Sequence, residues 1–140
     1  MNLQVRPFSM ADYAAVRDLW ANAGDGLRLR PSDEPAEIEK KLSRDPDLFL
    51  VAEIDGRIVG VIMGAWDGRR GWLHHLAVDG EHRRQGIAAR LVCEVEDRLR
   101  AKGCRKVNLL VLRGNQAARS LYRRLGYGEM TPVLPMGKEL

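Results

Sequence analysis

Residues 71–103 read GWLHHLAVDGEHRRQGIAARLVCEVEDRLRAKG, and their pattern decides the fold. The stretch opens as a strand-like run, GWLHHLAV, and closes as a helix. Apolar residues recur there at Ile87, Leu91, Val95 and Leu99, the rhythm of one helical face, and Gly103 stops it. Between the two runs, a pair of arginines and a glutamine lead straight into Gly86. A glycine at a helix start weakens the helix unless the backbone needs room there. Helix N-termini have amide hydrogens without partners and a partial positive charge, so they accept anions, phosphate above all. Gly86 lets ligand oxygens approach the backbone, Ala88 is small enough not to block them, and Arg83 and Arg84 add charge. Taken alone, such a turn reads equally well as an exposed cap with solvated arginines.

Upstream, LFLVAEI (48–54) and RIVGVIMGAW (57–66) are apolar runs joined by Asp55-Gly56, the strongest short hairpin signal, and WLHHLAV adds a third strand. LQVRP (3–7) alternates as a short strand. SMADYAAVRDLWANAG (9–24) reads as a helix capped by Ser9 and ended by Gly24, with Ala14, Val16, Leu19 and Trp20 as its apolar stripe. PAEIEKKLSRD (35–45) is a second helix, started by proline, after the loop DGLRLRPSDEP (25–35). Downstream, KVNLLVL (106–112) is so continuously apolar that a buried central strand is expected. NQAARSLYRRLGY (115–127) is helical, with Ala118, Leu121, Tyr122 and Leu125 on one side, and YGEMTPV (127–133) and LPMGKEL (134–140) are strand-like. The order is β-α-α-β-β-β-α-β-α-β-β, without repeat or linker: a single mixed α/β domain over residues 1–140, with a mixed, mostly antiparallel sheet and helices on both faces.

Composition bounds the function. With 45% hydrophobic and 30% charged residues, the chain has the make-up of a folded globular domain. No run approaches the roughly 20 apolar residues of a membrane helix. The start, MNLQVRPFSMADY, lacks the apolar centre of a signal peptide, so a cytoplasmic location and no membrane partner are expected. Cys93 and Cys104 lack metal-binding spacing and read as packing thiols, and no metal is expected. The net charge of +4 is concentrated in the second half, which suggests an anionic ligand. Without aromatic residues interleaved among the basic ones, that ligand is not expected to be nucleic acid.

The segment LAVDGEHRRQGIAARL resembles the acetyl-CoA signature of the GNAT superfamily of N-acetyltransferases, R/Q-x-x-G-x-G/A after a strand, with Arg83, Gly86 and Ala88 at its defining positions. NQAARSLYRRLGY resembles a second block of that family, matched at Asn115, Ala118, Leu121, Tyr122, Gly126 and Tyr127. The element order agrees with the GNAT fold over essentially the whole chain. The resemblance implies acetyl-CoA as cosubstrate and an amine acceptor. It implies that backbone of Leu76, Ala77 and Val78 binds the pantetheine arm, with a bulge exposing an amide toward the acetyl carbonyl. It assigns the pyrophosphate to the amides of Arg84, Gln85, Gly86, Ile87, Ala88 and Ala89, beside Arg83, and a pantetheine contact to Asn115, which is also a good N-cap.

The chemistry then needs a proton acceptor for the amine, stabilisation of an oxyanion and a proton for the leaving thiolate. Tyr122 matches the general acid of the family, although its spacing also suits a core tyrosine. His74 falls where some members place a catalytic Glu or His, and imidazole titrates near neutrality. On a regular strand His74 and His75 point to opposite faces and cannot chelate one metal, and His74 shares its face with Trp72, Leu76 and Val78. Members that acetylate the N-terminal alanine of a ribosomal protein carry a Glu where LVLRGN has Leu110, so their specificity is not inherited. Glu53, Asp67 and Glu129 are reserve bases acting through water. Acceptor recognition is expected from GDGLRLRPSDEP and the last hairpin, with Asp25, Asp33 and Glu34 drawing a cationic amine. The expected function is transfer of acetyl from acetyl-CoA to a primary amine by direct attack, in a monomer or homodimer. The alternatives are a non-catalytic acyl-CoA-binding regulatory module and a nucleic-acid-binding domain.

Overall fold

The structure, a computed structural model, describes residues 2–24 and 27–140. Its elements are β1 (Leu3–Pro7), α1 (Tyr13–Ala21), α2 (Pro35–Arg44), β2 (Phe49–Ile54), β3 (Arg57–Trp66), β4 (Gly71–Val78), α3 (Ile87–Ala101), β5 (Val107–Leu109) and α4 (Gln116–Arg124). The strands lie in chain order in one sheet, antiparallel from β1 to β4, with β5 parallel to β4. The β2–β3 hairpin turns on Asp55 (φ 50°) and Gly56 (φ 81°), both left-handed as a type I′ turn demands. A parallel partner for β4 requires a crossover, and α3 supplies it. Among the described residues no helix is long and apolar enough to cross a membrane.

The sheet is covered on both faces, so β2 is apolar without alternation. On one face the stripe Ile87, Leu91, Val95 and Leu99 is buried against Leu50, Ala52, Ile62 and Leu73, and Tyr122 of α4 joins it. On the other face Val16 and Trp20 of α1 and Ile38 of α2 pack on Phe49, Val51, Val61 and Ala77.

The C-terminal third departs from the sequence reading. Only Val107–Leu109 of KVNLLVL forms a strand, and it is the sheet edge rather than its centre, with Leu110 66% and Leu112 57% exposed. YGEMTPV and LPMGKEL form no strand. Pro132 and Pro135 have no amide to donate to a ladder, and Gly128 and Gly137 bring no side chain to pack, so pairing along this segment is weak. The structure therefore has five strands.

The second departure is in β4. Met63 pairs with His74 and Val61 with Ala77, so His75 and Leu76 together oppose Ile62 alone. This is a β-bulge, and its first residue, His75, is left-handed (φ 51°). The bulge breaks the alternation assumed for His74. Trp72 and His74 stack with ring centroids 6.1 Å apart, whereas Leu76 and Val78 pack into the α3 core. His75 instead meets Trp20 of α1, ring to ring at 5.1 Å. The two histidines thus lie on the α1–α2 side rather than on opposite faces.

At Gly64 of β3 the helix α3 lies close against the sheet. A Cβ there would sit 2.7 Å from Val95 Cγ1 and 2.9 Å from the Leu48 carbonyl oxygen that accepts the Gly64 amide. Gly64→Ala should therefore lower the unfolding free energy by about 1–3 kcal/mol in urea titration, the usual range for overpacking. Gly80→Ala, where a Cβ meets nothing within 4 Å, should stay within about 0.5 kcal/mol of the parent.

Candidate active site

The turn that enters α3 has the form an anion site requires. Arg84 (φ 63°) and Gly86 (φ 80°) are both left-handed, and Gly86 is the N-cap. The Arg90 amide donates to the Gly86 carbonyl at 3.0 Å, so the amides of Ile87, Ala88 and Ala89 project from the helix end. Buried Ile87 anchors the helix while Arg83, Arg84, Gln85 and Gly86 are exposed. Arg83 and Arg84 form no ion pair among the described residues, which keeps their charge available. The preceding turn is fixed by Asp79, whose carboxylate takes the His82 ring at 2.7 Å and Arg57 at 3.5 Å and whose amide donates to Val59 O at 2.8 Å. A Cβ on Gly86 would touch nothing within 4 Å, so the glycine answers to backbone conformation and leaves open space above the amides.

An unpaired strand edge adjoins this turn. The β4–β5 pairing stops at Leu73 and Leu109, while β4 runs on to Val78. Beyond Leu73 the strands part, and the edge of Leu76, Ala77 and Val78 that faces away from β3 has no strand partner among the described residues. Asn115 Oδ1 accepts the Ala118 amide at 3.1 Å, which makes it the N-cap of α4. Tyr122 is 9% exposed, and burial pushes its hydroxyl up to about 12. Its ring meets Tyr127 edge to face at 5.6 Å, and the Tyr127 hydroxyl is held by Glu96 at 2.7 Å. Tyr122 lines a cleft of about 1040 Å³ bounded by β5, α4 and the C-terminal segment.

The two histidines differ in environment. Burial, with Lys41 and His75 nearby, lowers the pKa of His74, so its ring resists the proton that a base must accept. His75 has a partner. Its Nε2 lies 2.9 Å from Oδ1 of Asp33, a side chain only 6% exposed, and its carbonyl accepts the Trp20 indole N–H at 3.1 Å. Asp33 Oδ2 also accepts the Arg30 amide at 3.0 Å, and Tyr13 OH donates to the Asp33 carbonyl at 2.8 Å. Asp33 lines a second cavity, of about 260 Å³, with Tyr13, Arg17 and Arg30. The sequence reading passed over His75 because it assumed a regular strand. The available signal was the HH pair itself, two polar residues in succession where alternation allows one.

The reserve bases are engaged elsewhere. Glu53 pairs with Arg6 at 3.3 Å, Asp67 accepts the Arg69 and Arg70 amides at 2.7 Å, and Glu129 takes Arg119 at 2.6 Å. Asp33, expected as a loop acid, is buried; Asp25 lies outside the described residues. Cys104 packs on the core as expected, whereas Cys93 is exposed on α3, not packed. Partial burial and nearby Glu96 and Asp97 raise the Cys93 thiol pKa, so it is no ready nucleophile. No group of three or more His, Cys, Asp or Glu side chains that could hold a metal occurs among the described residues.

Comparison with known proteins places these features. Residues 13–127 match the Acetyltransferase (GNAT) family. An acetyltransferase of Sodalis glossinidius is 43% identical over 139 residues, covering 99% of this chain and 96% of that protein. An acetyltransferase of Pectobacterium atrosepticum is 42% identical with the same coverage. Among solved structures, the PaiA N-acetyltransferase of Thermoplasma acidophilum in complex with coenzyme A superposes with a TM-score of 0.77 at 20% identity, covering 91% of both chains. The aminoglycoside enzyme AAC(6')-Iy with a CoA bisubstrate analogue gives 0.79 at 21% identity, covering 100% of both. A left-handed glycine turn at a helix N-terminus, a β4 edge left unpaired beyond β5, and relatives alike over nearly their whole length lead to one conclusion: this chain belongs to the GNAT family of acetyltransferases and moves acetyl groups from acetyl-CoA.

Proposed function

We propose that the protein acetylates a primary amine, of a small molecule or of a peptide, by direct attack of the amine on acetyl-CoA. The observation that carries this reading is the parting of β4 from β5 beside an anion-binding turn. One end can hold a diphosphate while the other presents backbone hydrogen-bonding groups to an extended arm. Amides from Arg84 to Ala89, with Arg83, hold the pyrophosphate in this reading. The edge of Leu76, Ala77 and Val78 aligns the pantetheine arm, and Asn115 acts first as a cap, shaping the start of α4 beside it. Tyr122 is the general acid: a hydroxyl pushed up to about 12 keeps its proton throughout the working pH range and passes it to sulfur only as thiolate charge develops. A phenol buried this well would also serve as plain core packing, so the deletion of its oxygen alone separates the two roles. His74, the base suggested by spacing, sits in surroundings that disfavour its charged form.

Tyr122→Phe keeps the ring and its packing. With an acceptor found by screening thiol release across an amine panel, turnover should fall about a hundredfold while CoA affinity and melting temperature stay near those of the parent. A core role predicts the reverse, near-normal turnover with a stability loss of about 1 kcal/mol. Since the donor stays protonated to about 12, Tyr122 ionisation should not reduce turnover below roughly pH 10.

Gly86→Val places a β-branched residue at φ 80° over the exposed amides. The CoA dissociation constant, measured calorimetrically, should rise at least about tenfold, or 1.4 kcal/mol, while the protein still unfolds cooperatively. Unchanged affinity would put the pyrophosphate elsewhere.

A further inference from the structure

We propose that His75, oriented by buried Asp33, is the proton acceptor for the incoming amine. This rests on the acetyl-transfer reading above and adds the group which that reading lacks.

Three observations converge on the pair. First, His75 is the left-handed residue of the β4 bulge, placed just past the point where β4 leaves β5. A non-glycine residue held at positive φ costs free energy and persists only where its surroundings enforce it, and such residues gather at functional sites. Here the enforcement is visible: the Trp20 indole N–H, on a side chain with no exposure, donates to the His75 carbonyl at 3.1 Å and its ring abuts the imidazole. Second, an ionised Asp33 can only accept, so the 2.9 Å contact assigns the ring proton to Nε2 and leaves the lone pair on Nδ1. The Arg30 amide on Oδ2 and Tyr13 on the Asp33 carbonyl fix the carboxylate in turn. This is the arrangement by which a carboxylate orients an imidazole base and stabilises the imidazolium it becomes. Third, the His75 side chain keeps 28% of its surface exposed, while Asp33, 6% exposed, also borders the cavity beside Tyr13 and Arg17. The base thus keeps part of its surface accessible, while its orienting acid is almost wholly buried.

The step balances without a further reagent. As the neutral amine nitrogen bonds to the acetyl carbon, one of its protons passes to His75 Nδ1. The carbon–sulfur bond breaks, and sulfur takes the Tyr122 proton. The imidazolium and the phenolate then neutralise through solvent. His75 is the catalytic residue and Asp33 a positioning residue.

The test needs no acceptor. Bromoacetyl-CoA carries an alkylating carbon to the acetyl position, where a neutral imidazole nitrogen displaces bromide. On the full-length protein, mass spectrometry after proteolysis should find a single time-dependent label on His75 that excess CoA suppresses. His75→Gly, which suits the left-handed backbone, should bind CoA as the parent does and take no label. Asp33→Asn, which no longer dictates the tautomer, should slow labelling about tenfold or more at unchanged CoA affinity. A purely structural Asp33 would change stability without changing the labelling rate of the folded fraction. Labelling of another residue, no labelling of a protein that binds CoA, or an undiminished rate in Asp33→Asn would overturn the proposal. Failure to bind CoA at all would overturn the acetyl-transfer reading instead.

Discussion

The hydrogen bond from the Trp20 indole to the His75 carbonyl, with the bulge it secures, is the constraint on which the rest of the structure depends. One extra residue in β4 shifts the face that each later side chain occupies. Up to His74 the strand stacks Trp72 on His74; after it, Leu76 and Val78 enter the α3 core while Ala77 joins Trp20. The bulge lies just past the end of pairing to β5, which stops at Leu73 and Leu109, the last residue of β5. The placement of both histidines follows from the bulge. The bulge survives because Trp20, filling the core between α1 and the sheet, has its only polar atom satisfied there.

The two halves of the site rest on different physics. The anion turn is a backbone device. It needs left-handed Arg84 and Gly86, a helix stiff enough to hold its first amides in place, and a buried stripe to anchor that helix; Ile87, Leu91, Val95 and Leu99 are that anchor. The proposed reacting end is a side-chain device. Tyr122 holds its proton because burial penalises the phenolate, and Asp33 holds its place through the Arg30 amide, the His75 ring and the Tyr13 hydroxyl. Mild substitutions should be tolerated in the first wherever the glycine conformation and the helix survive, whereas the second depends on individual atoms.

The edge of the sheet is the region where local preference and context pull apart. Apolar residues 107–112 would suit a buried strand, yet only three pair, because the segment that would cover them carries Pro132 and Pro135. Leu110, Val111, Val133, Leu134 and Met136 are left exposed around the cleft that Tyr122 lines.

The sequence by itself determined the element order as far as α4, the hairpin at Asp55-Gly56, the buried stripe of α3 and the glycine turn that opens it, because each follows from neighbours a few residues apart: alternation, helical period and glycine at positive φ. The RRQGIA turn and the NQAARSLYRRLGY block were legible for the same reason. Tertiary structure alone decided where the strand alternation fails, which histidine meets a carboxylate, and that Asp33 is sealed from water rather than solvated in a loop. Asp33 and His75 are 42 residues apart in the chain and meet only because α1 and the segment before α2 close over the bulge. A bulge has no strong local signature, and burial of an acid depends on what packs over it; both are properties of the assembled layers rather than of any window of sequence.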